Sequence, residues 1–109
     1  MPAALAPEVE VLVVDVKTVA RGLRVSALLR SNVVNDNDEK IGTIDDIIIG
    51  DDDRVLFAVL QVGGFLGLGG RLIAVPYNSL VIDPKDGRIR LPGATREVLE
   101  KLPEFDYGD

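Results

Sequence analysis

A chain of 109 residues has the size of a single domain, and its 47% hydrophobic and 28% charged residues exclude both a disordered chain and a second independent core. The net charge of -6 opposes the phosphate backbone of nucleic acid, and the longest uncharged runs fall short of a membrane-spanning helix. Cysteine and histidine are both absent, which excludes disulfides, thiolate chemistry, imidazole zinc sites and every triad built on an imidazole base.

The leader, Met1 to Pro7, lacks the basic and long apolar regions of a signal peptide, although Ala4-Leu5-Ala6 has the small-x-small form of a cleavage site. As it stands the chain reads as cytoplasmic, and as exported if a signal peptide was removed ahead of Met1. Valine-rich Val9 to Val16 predicts an extra strand, so residues 1–22 form a leader with one strand. Four basic residues, Lys17, Arg21, Arg24 and Arg30, follow with no acid between Val16 and Val34; they read first as a solvated face. Ser26 is placed to cap a helical turn over Ala27 to Arg30. A short strand, Asn32 to Asn35, then meets the polar turn Asp36 to Lys40.

Ile41 to Gly50 is strand-like, but its alternation breaks at Asp45-Asp46. An extra residue there shifts the phase, which predicts a β-bulge, with Gly42 as a second bend. Asp45 and Asp46 are candidate structural acids, and an inward carboxylate at the bulge would require hydrogen bonds or a cation such as Arg54 or Arg71. Asp51-Asp52-Asp53 closes a hairpin into Val55 to Val62, which is apolar on both sides. Val55, Phe57 and Val59 share one side; Leu56, Ala58, Leu60 and Val62 share the other. One apolar side needs a cover beyond the core of a small domain. Leu56 and Leu60, with Phe65, Leu66 and Leu68 at the tip of the glycine loop Gly63 to Gly70, are the candidate self-association surface. That loop opens a strand and lacks the Gly-Lys-Ser/Thr ending of a phosphate loop, so its glycines read as a barrel corner.

Leu72 to Val75 is the next strand, ended by Pro76, and Tyr77 to Leu80 turns a corner. Val81 to Asp83 and Arg88 to Leu91 form a last hairpin across Pro84-Lys85-Asp86-Gly87. Thr95 caps a helix over Arg96 to Leu102, with Val98, Leu99 and Leu102 on its apolar face and Glu97 and Lys101 paired opposite. Phe105 and Tyr107 in the tail are expected to pack. Short strands and frequent turns predict an all-β fold, a small antiparallel β-barrel or sandwich with one short C-terminal helix, residues 92–109 being that helix and its tail.

Glu39 to Ile49 (EKIGTIDDIII), Val55 to Pro76 (VLFAVLQVGGFLGLGGRLIAVP) and the corner Tyr77 to Leu80 (YNSL) stand in an order that resembles the PRC-barrel family. Leu23 to Asn35 (LRVSALLRSNVVN) resembles that family's opening segment, so the resemblance covers residues 23–91. It implies a small β-barrel that serves interaction or assembly, with no catalytic residue to carry over and no cofactor. Unlike the reaction-centre H subunit and the ribosome-maturation factor that share this domain, the chain shows neither a membrane span nor an additional RNA-handling domain.

The expected function is therefore a non-enzymatic, self-associating interaction module, a homodimer or the partner of another protein. Two alternatives stand beside it. One is a barrel binding a small ligand or divalent metal through the eight carboxylates of residues 36–53, although neither acidic turn matches a calcium loop. The other is an RNA-processing or ribosome accessory using the four cations, which the acidic balance disfavours.

Overall fold

The computed structural model describes residues 12–63 and 70–108. Its centre is a hairpin of β2 (Lys40–Ile49) and β3 (Leu56–Val62), in which Ile44 faces Leu60 and Ile49 faces Leu56. The register slips between Ile44 and Asp46, so the extra residue implied by the broken alternation is present as a bulge at Asp45. β4 (Arg71–Pro76) pairs antiparallel with the far side of β3.

β1 (Asn32–Val34) pairs with β2 with a second slip between Val33 and Val34, beside Gly42. Gly42 has a close neighbour: a Cβ there would overlap the backbone carbonyl oxygen of Gln61 on β3. After the 3-10 turn Tyr77–Ser79, β5 (Val81–Ile82) and β6 (Ile89–Arg90) form the last hairpin. Gly87 supplies the positive φ of 71° that its turn needs.

The six strands lie in the order β4-β3-β2-β1-β6-β5. The purely antiparallel pairing expected of the barrel is corrected, and the described strands do not close it. β6 runs parallel to β1, held by Leu91 N donating to Val34 O at 2.9 Å, and among the described residues no ladder joins β4 to β5, so their hydrogen-bonded sheet is open. The backbone at the β4 edge is met instead by the tail, where Phe105 N donates to Leu72 O at 2.7 Å.

One face of the sheet carries the core. Val33, Ile44, Ala58, Leu60, Ile73 and Ile89 meet there, closed by Leu28 of α2 (Val25–Leu28) and Leu99 of α3 (Arg96–Lys101). α3 begins as its sequence directs, with Thr95 Oγ1 accepting from Val98 N at 3.1 Å. Its buried stripe is narrower than expected: Leu99 is buried and Leu102 half-buried, while Val98 is exposed. Glu97 and Lys101 form no ion pair; among the described residues both ion pairs join Asp38 to Arg88 and Arg90.

Two expectations for the N-terminal region are also corrected. α2 starts two residues before the predicted turn, with Arg24 and not Ser26 at its N-cap, and Arg30 leaves it with φ 69° to donate its N–H to Ile44 O. Of the strand expected over Val9 to Val16, residues 9–11 lie outside the described residues, and Leu12 to Asp15 pair with no strand. Val16–Ala20 is a helix, α1. Asp15 explains the switch, because its carboxylate accepts from Lys17 N and from Thr18 Oγ1, starting a helical turn where valine alone favours extension.

Candidate functional site

β3 decides which residues are available at the surface. Leu60 is 0% exposed and belongs to the core, so it is not part of an association surface. The phase of the strand turns Ala58, Leu60 and Val62 inward and leaves Phe57 and Val59 on the opposite face. Leu56 is half-buried at the hairpin end, while Phe65, Leu66 and Leu68 lie outside the described residues.

Val59 faces away from the core cluster and is nevertheless fully buried. Phe105 is anchored on Leu72 of β4, and Tyr107 OH donates to Asp45 Oδ2 on β2 at 2.6 Å, so the tail runs as a strap from β4 to β2. The two rings meet edge to face at 5.0 Å, a favoured aromatic geometry.

This strap gives Asp45 a structural role, though in the opposite direction from an inward acid. Asp45 and Asp46 are both exposed, and Asp46 Oδ1 accepts from Ile47 N. Arg71, nominated as their partner, donates instead to Glu100 O at 2.7 Å and Leu102 O at 2.6 Å, holding the C-terminal carbonyls of α3 with a positive charge.

Burial pushes the Tyr107 phenol above its ordinary value, with the bond to Asp45 and the charges of Asp45 and Asp46 adding to the shift. The folded state therefore favours the neutral phenol. Its contribution to stability is complete below the ordinary tyrosine value of about 10 and is lost as pH rises through the folded value. In a Tyr77→Phe background, phenolate absorbance should show Tyr107 ionising above that ordinary value, and Asp45→Ala should bring it down. Ordinary titration in both proteins would contradict the strap.

The other carboxylates of residues 36–53 are largely occupied by architecture. Asp36 Oδ2 accepts from Gly93 N, and Asp38 Oδ1 pairs with Arg88 and Arg90 at 3.2 Å each, fastening the β1–β2 turn to β6. The hydrogen bond from Arg90, with the charge of Arg88, holds the Asp38 carboxyl below its usual value. Asn35 staples the same turn, its Oδ1 accepting from Asn37 N and Glu39 N. Asp52 Oδ1 accepts from Arg54 N and Val55 N in the β2–β3 turn, which lowers its pKa. Among the described residues no group of three or more His, Cys, Asp or Glu side chains gathers as metal ligands would.

Among the described residues of the sheet and α3, two surfaces have the capacity to bind. One is the hairpin end, where Ile49 and Val55 are 64% and 41% exposed beside half-buried Leu56 and Phe57 and the acidic turn Asp51 to Asp53. Sequence reasoning named Leu56 and passed over Ile49, although its place at the end of an apolar run next to three acids was legible. The other is a cleft of about 390 Å³ between the start of β2, the facing ends of β3 and β4, and α3. Ile41, Val62 and Leu99 give it an apolar wall, and Glu39, Lys40 and Glu100 line it with both signs of charge. The cleft was not foreseen, because its walls come from segments far apart in the chain. Among the described residues no helix is long and apolar enough to cross a membrane.

No curated protein matches the chain. The family model for the PRC-barrel domain matches residues 20–97, well over half of its length, and spans all six strands and the N-terminal part of α3. The chain belongs to the PRC-barrel domain family.

Proposed function

We propose that this PRC-barrel chain is a non-enzymatic interaction module that assembles by self-association. The observation that carries this reading is the uncovered hairpin end, where Ile49 and Val55 sit in water next to half-buried Leu56 and Phe57. Exposed apolar side chains clustered at a hairpin end weaken the fold unless a partner covers them, Ile49 on the face of Leu56 and Val55 on that of Phe57, and a second copy is always present at the protein's own concentration. The loop residues Phe65, Leu66 and Leu68 belong to the same proposal. Light scattering at micromolar concentration should give twice the chain mass, and Val55→Lys should shift the protein toward monomer. A wild-type monomer throughout the range would overturn the reading.

The cleft supports a second reading, a small-ligand barrel, since its volume lies within the range of small-molecule sites. Calorimetric titration with inorganic phosphate, Ca²⁺ and Mg²⁺ tests it, and an absence of heat above buffer removes these ligands.

A further inference from the structure

Every described position from Leu12 to Ala27 is exposed, and α1 within it has no buried residue. Leu12 is 76% exposed, Val13 98% and Val16 72%. A five-residue helix does not hold in water on its own backbone hydrogen bonds. α3 is only one residue longer, but it is anchored by Leu99; α1 has the Asp15 cap and, among the described residues, no buried anchor. Among the described residues nothing buries Val16 and Val19, which leaves this apolar surface open to a partner.

Charge indicates what that is. Residues 12–30 carry the cations Lys17, Arg21, Arg24 and Arg30 against one carboxylate, Asp15, in a chain whose net charge is -6. The β2–β3 hairpin end presents the reverse: Asp51, Asp52 and Asp53 beside the exposed Ile49 and Val55. Each surface is apolar, each carries the opposite sign to the other, and neither covers the other within one chain.

We infer that the basic, apolar arm of residues 12–25 docks on the acidic β2–β3 hairpin end of a second copy. This rests on the self-association reading and names the two surfaces that make it. Valine and leucine side chains of the arm wrap the tip and cover Ile49 and Val55 on its two faces, while its cations face the aspartates of the turn. Reciprocal docking of two arms on two hairpins closes a dimer with two-fold symmetry and leaves neither surface free for a third copy.

The test is a charge swap on the full chain, read by sedimentation equilibrium at low salt. The arm variant is Lys17→Glu with Arg24→Glu, which leaves the Asp15 cap intact. The hairpin variant is Asp51→Lys with Asp53→Asn; Asn tolerates the φ of 64° at that position, and Asp52 is spared because it holds the turn. Either variant should weaken the dimer at least about tenfold, as close complementary charges at an interface do, and combining them should restore much of the loss. Circular dichroism and melting temperature verify that each variant is folded. A wild-type dimer indifferent to both variants overturns the arm inference and leaves self-association standing. A wild-type monomer overturns both. A monomer that floats with phosphatidylglycerol vesicles, losing this with the arm variant alone, assigns the arm to an anionic lipid surface and overturns the second-copy docking.

Discussion

Replacing Leu60 with alanine should lower the unfolding free energy by about 2–5 kcal/mol, the range for truncating a large buried aliphatic side chain in a core that relaxes only in part. Leu60 is 0% exposed and packs among Ile44, Ile73 and their neighbours at the centre of the sheet. A domain of this size has roughly 5–15 kcal/mol in total, so the melting temperature should fall by more than about 10 °C. Leu56→Ala, at a half-buried position on the hairpin end, should cost less. Thermal and urea unfolding separate a core role for Leu60 from a surface role: a surface residue would change the molecular mass and leave the melt in place. An unshifted melt for Leu60→Ala would contradict the assigned phase of β3.

Gly42→Ala should destabilise by about 1–3 kcal/mol although it adds only one methyl group. The cost comes from the backbone. A Cβ at Gly42 would overlap the carbonyl oxygen of Gln61, and that carbonyl belongs to the central strand, which is paired on both sides and has little freedom to retreat. A flexible side chain could swing aside, but a ladder carbonyl cannot. Gly93→Ala is a useful contrast, because nothing lies within 4 Å of its Cβ position and only its φ of 76° opposes the change. Equal stability of Gly42→Ala and wild type in urea unfolding would show that β2 and β3 approach less closely than described.

The sequence was most legible where a local rule had one solution. The phase break at Asp45-Asp46 required an extra residue, and the bulge lies there. Thr95 preceded a short apolar helix and caps it; Pro84 to Gly87 turned the last hairpin. Legibility failed where two rules gave equal answers or where the partner was distant. β3 is apolar on both sides, so alternation could not say whether Leu60 or Val59 faced the core, and in the end both are buried, Leu60 within the core cluster and Val59 outside it. Valine favoured a strand ahead of Val16, but the Asp15 cap started a helix. Tyr107 and Asp45 stand 62 residues apart, and no spacing rule joins them. The parallel pairing of β1 with β6 and the open edges of the sheet likewise follow from three-dimensional packing and not from any local pattern.

For the candidate site, the sequence identified the apolar character of the β3 region and assigned it to the wrong side. Leu60 went inward, and the exposed apolar residues proved to be Ile49 and Val55 at the hairpin end. The acidic segment read as solubilising turns, and most of its carboxylates instead hold turns, arginines or the tail. That internal use leaves Asp51 and Asp53 as the charges most available to a partner.

Self-association is the central claim, and sedimentation equilibrium of the wild-type chain across the micromolar range tests it most directly. A concentration-dependent approach to twice the chain mass is expected, weakened by added salt because oppositely charged surfaces meet. A single species at the chain mass over the whole range, unchanged by salt, would contradict it.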